Sequence, residues 1–424
     1  MENKKYEIQC SANNTELAIS KTLSAPVFTD KKGNNKWVPY RTADGNEEYP
    51  DYLLTLFNNS ALHGRILRSV INQVFGNGFI WDPKEEGATE FAEWAKQPCK
   101  NSEDDLNEIL KKYVTDYCTF GAGALKVDWD QDFSRVNSLE HSEDAKIRVS
   151  PINEYGNITG YWWSWDWTNN KSTKIFIPPF STKDAKLKKQ DMAKALEELN
   201  VDRINELFKF TTQLQYTKIY EPNSPYYPHP YYQSGMDAIE TDIMAGQYEQ
   251  ATFDNGLGIN FHINIPGNYT NEQKAVEAKG ILKQHSGASK SGIPLITFSK
   301  NGDEAITVSK LENSGEDKLF TSINENLQQK ILEAHGITSP LLCGISTPGS
   351  LGGKEELDVS AELYYKQVIQ PLQNEISKAF NKIFEINNWP NVSIERALIF
   401  EEEEDVAIED VSDSAESGNN TEIK

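Results

Sequence analysis

Gly352-Gly353-Lys354 is where this chain comes nearest to a phosphate cradle, because glycine N–H groups and a lysine ammonium can together surround anionic oxygens. The spacing fails. A phosphate-binding loop needs its first glycine where Pro348 stands and a Ser or Thr where Glu355 stands, so nucleotide binding is not expected. The six histidines (His63, His141, His229, His262, His285 and His335) show no HxH or HxxxH spacing for zinc. Cys10, Cys99, Cys118 and Cys343 are far apart without a CxxC pair, and read as ordinary thiols. There is no GxSxG elbow, and 64 acids make any proposed acid–base pair uninformative. No catalytic residue, metal or cofactor is expected.

The row Tyr161-Trp162-Trp163-Ser164-Trp165-Asp166-Trp167 offers a different chemistry, since exposed aromatic rings can stack on sugars or bases. On a strand Trp163, Trp165 and Trp167 would share one face. That face is expected to pack in a core or against a neighbouring subunit; a carbohydrate-binding module is the alternative.

What positions Gly352-Gly353-Lys354 is more distinctive than the triplet itself. Residues Gly344 to Gly353 are mostly Gly, Pro and Ser, a composition that tolerates unusual dihedrals. Lys354 then opens a helix with Glu355 and Glu356 in its first turn, where the macrodipole favours acids. Leu357, Ala361, Tyr365, Ile369, Leu372, Ile376, Ala379, Phe380 and Ile383 follow at helical spacing. Pro371 interrupts that stripe and predicts a kink.

The chain has 424 residues, 38% of them hydrophobic and 11% aromatic, enough for two or three folded domains. No run approaches the roughly 20 apolar residues of a membrane span, and MENKKYEIQC lacks a signal-peptide core. Net charge is −22, and Glu401 to Lys424 holds ten acids against one lysine. That tail reads as a solvated extension, for solubility or for docking another assembly protein. So acidic a body opposes tight DNA binding, yet an acidic wall suits a tunnel through which a duplex must slide.

Along the chain, a polar arm precedes helices near Asp51–Phe75 and Ala88–Ala95, then one at Glu103–Phe120 capped by Ser102. Strands are expected at Ala124–Trp129, Lys146–Ile152, Ile158–Trp167, Thr173–Pro178 and Gln213–Glu221, with a charged helical stretch from Ser181 to Leu207. The lysines of that stretch read as i,i+4 partners on a solvated helix before they read as contacts to DNA or a subunit. Helices Tyr231–Phe253 and Glu316–Ala334 enclose a segment with strands at Ile259–Ile265, Ile293–Ser299 and Ala305–Lys310, a helix at Asn271–His285, and an Asn301-Gly302 hairpin turn. The class is α+β.

The pattern ITSPLLxGxxTPGxLGGKEEL, then VIQPLQxxI and FNxIFEIN, resembles tailed-bacteriophage portal proteins, in particular a divergent group that also carries YPxYLLxLxNNS, present here from Tyr49 to Ser60. A third similar stretch runs from Pro230 to Gly256. The resemblance implies an N-terminal arm at 1–48, the first part of an α/β wing at 49–230, and a stem helix at 231–255. A small α/β clip at 256–311 and a second stem helix at 312–336 follow. Residues 337–400 would hold a tunnel loop, a kinked helix and the rest of the wing, and 401–424 an acidic disordered tail. Little helix is expected after Asn387, so a large helical crown is not. The resemblance further implies a ring, dodecameric in the virion, at one capsid vertex, conducting double-stranded DNA without sequence specificity during packaging and ejection. Its partners would be copies of itself, the major capsid protein, the terminase large subunit and a head–tail connector, with no membrane. Ser346, Thr347, Gly349, Ser350, Leu351, Gly352 and Lys354 would line the channel, Lys354 near DNA phosphates or simply solvated at a helix start. A phage structural or adaptor protein without a channel is the alternative.

Overall fold

Ser60 ends one helix and begins the next. Helix α1 (Tyr49–Asn59) has Pro50 in its first turn, where a missing N–H costs nothing, and Ser60 N–H closes it on Leu56 O at 3.1 Å. The Ser60 hydroxyl then accepts the His63 N–H at 3.1 Å and caps α2 (Ala61–Phe75), which buries Ile66, Leu67, Val70, Ile71 and Val74. The computed structural model describes residues 28, 36–46, 48–99, 102–198, 200–254, 261–266, 295–299, 307–310, 316–345 and 354–397. Its described elements mix helices with small sheets, the α+β class expected from the sequence.

After strand β1 (Phe79–Ile80) and helix α3 (Ala88–Ala95), helix α4 (Leu106–Phe120) starts later than its pattern suggests. Asp105, not Ser102, is its cap, because Asp105 and Glu108 satisfy each other's backbone N–H in a reciprocal box. Ser102 instead accepts from Asp104 N–H in a turn of its own. Against α4 lies an antiparallel sheet of β2 (Ala122–Trp129), flanked by β3 (Val136–Ser142) and β7 (Thr212–Lys218). Strand β3 is invisible to propensity, since VNSLEHS is largely polar. Burial of Val136 and Leu139 and its pairing with β2 hold it.

A second antiparallel sheet runs β4 (Ile147–Val149), β5 (Tyr161–Trp163), β6 (Ile175–Ile177). It corrects the aromatic row. The strand ends at Trp163 because Asp166 draws the backbone into a turn, accepting N–H bonds from Thr168 and Asn169 at 2.9 and 3.2 Å. Trp167 folds back to donate its indole N–H to Lys146 O, while Trp165 is left 66% exposed. The three tryptophans therefore share no strand face.

The charged stretch forms two helices, α5 (Thr182–Glu197) and α6 (Val201–Phe208), separated where Asn200 caps α6 through Arg203 N–H. Helix α7 (Met236–Asp254) and helix α8 (Glu316–Ala334) pack together, and in the turn just before α7 an added Cβ on Gly235 would lie 2.4 Å from the Ala334 Cβ. Between them β8 (Phe261–Pro266) sits centrally, parallel to β9 (Leu295–Ser299) and antiparallel to β10 (Thr307–Lys310). So β9 and β10 lie on opposite sides of β8 and make no two-strand hairpin, whatever the Asn301-Gly302 signal. That turn and the expected Asn271–His285 helix lie outside the described residues.

Helix α9 (Lys354–Tyr364) runs through one wide π turn, Tyr365–Ile369, into helix α10 (Gln370–Phe384). Pro371 stands second in α10, and the Gln370 N–H reaches back five residues to Tyr365 O. The wide turn just ahead of the proline is how the helix absorbs a residue with no donor. The chain then closes with β11 (Ser393–Ile394), which pairs with β1.

Candidate functional site

Of the residues singled out by sequence, Ser346, Thr347, Gly349, Ser350, Leu351 and Gly352 lie outside the described residues, and Lys354 is placed as the first residue of α9. What can be built is the mount that holds both ends of that segment. It centres on α2.

On the entry side, Pro340–Cys343 forms a single 3-10 turn ended by Gly344 at φ 68°, with Gly344 N–H on Leu341 O and Ile345 N–H on Pro340 O. Three residues of α2, each four apart, seize this turn. Arg65 Nε donates to Cys343 O at 2.8 Å, and Ser69 Oγ and Gln73 Nε2 both reach Leu342 O at 3.4 Å. One helix face can do this because positions i, i+4 and i+8 stack. Gly344 has a left-handed φ that favours glycine, and a Cβ there would stand 2.6 Å from a guanidinium nitrogen at the far end of Arg65, which would have to shift.

On the exit side, Gln373 of α10 donates to Gln73 O and Val74 O at 3.3 and 3.1 Å, two of the carbonyls that the end of α2 leaves without helical partners. Its own oxygen accepts from the Tyr365 hydroxyl at 3.1 Å, which ties the π turn to the same helix. Arg396 stacks 4.0 Å from the Tyr365 ring centroid and pairs with Glu362, whose carboxyl it holds below its usual range, with help from Lys366. Thr338 Oγ1 donates to Ser360 O at 2.9 Å and links the two sides directly.

The root of the α7–α8 pair is bonded to α1, to the junction between α1 and α2, and to α4. Tyr49 OH donates to Gln233, Ser60 Oγ to Asp242 at 2.7 Å, and Tyr232 OH to Thr119 O at 2.8 Å. Behind the mount, His63 of α2 meets His335, and Tyr231 closes on the far side of His335. Burial holds His63 down at about 4; it lowers His335 too, where the charge His63 would carry adds to the effect. Among the described residues neither histidine is hydrogen-bonded to a carboxylate. Among the described residues no group of three His, Cys, Asp or Glu side chains could hold a metal ion, and no helix is long and apolar enough to cross a membrane.

The sequence reading passed over Arg65, Ser69, Gln73 and Gln373. The first three were signalled by their four-residue spacing on the polar side of α2, alternating with Ile66, Val70 and Val74. Gln373 gave no signal, because its value lies in carbonyls 300 residues away.

No protein-family model matches the chain, and no curated protein does. Solved structures do. A chain of the neck of an empty gene transfer agent (GTA) particle, computed with C6 symmetry, matches with a TM-score of 0.52 at 15% identity, over 82% of this chain and 84% of that one. A chain of the neck of the native particle, computed with C12 symmetry, matches with a TM-score of 0.51 at 14% identity, over 89% and 88%. A looser likeness, TM-score 0.41 at 10% identity over 77% and 88%, is to an HK97-family phage portal protein from Corynebacterium diphtheriae, and is too distant to bear on function. Over more than four-fifths of its length, the chain has the fold of the GTA neck chains.

Proposed function

We propose that this chain is a portal subunit, one copy of a closed ring at a single capsid vertex that conducts double-stranded DNA inward during packaging and outward during ejection. The observation that carries the reading is the order of parts: two paired helices that carry a small three-stranded sheet, then a Gly-, Pro- and Ser-rich stretch whose entry turn is bonded to α2, then a helix that returns to α2 at Gln373. A stretch of that composition tolerates unusual dihedrals, as a loop lining a channel beside a sliding duplex would need to. The fold shared with particle-neck chains solved under sixfold and twelvefold symmetry supports the same reading.

In this reading α7 and α8 are the stem, residues 256–311 the clip, 49–230 with the end of the chain the wing, and Ser346 to Lys354 the channel lining. A ring of such subunits needs head-to-tail contacts that close by rotation. The major capsid protein, the terminase large subunit and a head–tail connector would dock on its outer surfaces, and the virion would be its location. Large apolar side chains left open on the single chain, Met244 and Phe253 on α7 and Val359 and Leu363 on α9, support burial by neighbouring copies.

Negative-stain images of the purified protein test it. Rings with a central hole are expected, and a protein that stays monomeric at high concentration overturns the reading. If rings lacking Gly349 to Gly352, and rings with Lys354→Ala, both package DNA like wild type, the channel-lining assignment is wrong while the ring stands.

A further inference from the structure

Helix α9 joins α10 through a joint weaker than the helices on either side. The turn Tyr365–Ile369 is wide, and Pro371 just beyond it has no N–H to donate across it. Among the described side chains of α9 only Ala361 and Tyr364, both near that joint, are buried, while Glu355, Glu356, Asp358 and Val359 nearer its start are exposed. The brace on the outside of the joint comes from the far end of the chain. Glu395 N–H donates to Gly78 O at 2.9 Å and Glu395 O accepts from Asn77 N–H at 3.0 Å, so the main chain leading into Arg396 is fixed just past the end of α2. From that anchor the Arg396 guanidinium stacks 4.0 Å from the centroid of the Tyr365 ring, in the wide turn, and donates to Glu362 of α9 at 2.6 Å. Glu362 is shared with Lys366 at 3.0 Å.

We propose that Arg396 is a releasable keeper for α9: engaged, it ties the helix to the β1–β11 anchor, and disengaged, it lets the helix pivot at the wide turn. A brace meant to stay is built differently in this same chain. Arg148 pairs with Glu48 at side-chain exposures of 2% and 9% and lies over the Tyr40 and Trp167 rings, out of reach of solvent. The Arg396 and Glu362 side chains are 32% and 44% exposed, where water and salt compete with the pair. The other polar tie on α9, from Thr338 Oγ1 to Ser360 O, is one exposed hydrogen bond. Tyr365 stays attached to α10 through Gln373 whether or not Arg396 is engaged, which places the pivot on the α9 side of the turn. The inference stands apart from the ring reading. Its added meaning there is that Lys354, at the start of α9, moves when Arg396 lets go.

Hydrogen exchange of the full-length protein, read by mass spectrometry, tests it. In Arg396→Gln the amides of residues 361–370 should exchange about three- to tenfold faster than in wild type, the size expected for losing an exposed ion pair and a cation–π contact together. Peptides of α2, of β2 and of the second half of α10 should be unchanged. Arg396→Lys keeps the charge but not the planar stack, and should fall between the two. Raising salt from about 0.1 M to about 1 M, which shortens the screening length from roughly 10 Å to roughly 3 Å, should speed the same amides in wild type and add little in Arg396→Gln. A merely structural arginine would not give that salt dependence. Equal exchange at residues 361–370 in wild type and Arg396→Gln would overturn the proposal. So would faster exchange spread over α2, β2 and α10 alike, because Arg396 would then hold the fold as a whole. A salt response as large in Arg396→Gln as in wild type would show that another pair is the keeper. None of these outcomes depends on whether the protein forms rings.

Discussion

His63 Nδ1 on α2 lies 2.9 Å from Nε2 of His335, one residue past the end of α8, and the Tyr231 hydroxyl reaches the other nitrogen of His335 at 2.8 Å. The chain of three polar groups is sealed by aromatic rings: Tyr232 lies 4.7 Å from the His63 ring and 5.1 Å from the His335 ring, and Phe57 flanks His63. Both histidines are buried, and the far nitrogen of His63 has no protein partner. A ring pair in this position can share one proton but cannot accept a second without placing a charge in an apolar pocket. Because α2, α7 and α8 meet here, the pair couples the protonation state of the protein to the joint on which the paired helices stand.

Acid should therefore loosen that joint. The folded His63 titrates near 4, below the ordinary 6.5, so the unfolded chain takes up protons that the folded one refuses. Stability is full above about pH 6.5 and falls as pH drops toward 4, by roughly 3 kcal/mol at about 1.4 kcal/mol per unit. Urea unfolding of wild type and of His63→Phe checks it. The variant should be weaker at neutral pH, because His335 loses its partner, but should lose less stability on acidification. Equal slopes would show that His63 is not the group refusing the proton.

Asp144 should act in the opposite direction. Its carboxyl is buried, and its backbone N–H is donated to Asp116 at 2.9 Å. Burial, reinforced by the Asp116 charge, raises it to about 7, against smaller downward pulls from Tyr216, Arg148 and His141. A raised folded value means stability that is complete below the ordinary carboxyl range and is lost as pH climbs through 7. Asp144→Asn keeps the shape and removes the charge. Its advantage over wild type should grow by roughly 2–3 kcal/mol between about pH 5 and pH 8. Parallel stability curves for the two proteins would refute it.

How far the sequence reaches depends on the range of the interaction. Helices α2, α4 and α8 were legible because their apolar residues recur at helical spacing, but the single helix expected near Asp51–Phe75 is two helices broken at Ser60, and the start of α4 moved to the cap with the better box. Strand β3 was not legible, since a polar strand is made by its neighbours. The expected β9–β10 hairpin failed for the same reason: a local turn signal cannot report that β8 takes both strands as partners. At the site, the Gly/Pro/Ser composition and the helix after it stood out. The mount did not, because Arg65, Ser69 and Gln73 act on carbonyls more than 260 residues away.

Two glycines should respond to alanine with opposite sign. At Gly344 the left-handed φ and the Arg65 guanidinium together resist a methyl group, so Gly344→Ala should cost about 1–2 kcal/mol and disturb the entry side of the mount. Gly246 lies inside α7 with nothing within 4 Å of an added Cβ, so Gly246→Ala should gain about 0.5–1 kcal/mol from helix propensity alone. Thermal unfolding of both variants decides the matter. A stabilised Gly344→Ala would mean that the turn adopts another conformation in solution.

The exit side of the mount depends on Gln373 in a way that separates its hydrogen bonds from its bulk. It is 3% exposed and satisfies Gln73 O, Val74 O and the Tyr365 hydroxyl at once, so truncation leaves three polar groups, one buried and two part-buried, to find other partners. Gln373→Ala should cost about 2–4 kcal/mol, with lost packing added to lost hydrogen bonds. Gln373→Met retains the length and the apolar stem but donates nothing, and should still cost about 1–3 kcal/mol. Gln373→Glu keeps the acceptor for Tyr365 but turns a charged oxygen toward two carbonyls, so it should be the worst of the three above pH 6 and should recover on acidification as the carboxyl protonates. If Gln373→Met were as stable as wild type, the end of α2 would be satisfied by solvent, and the coupling of α10 to α2 would rest on packing alone.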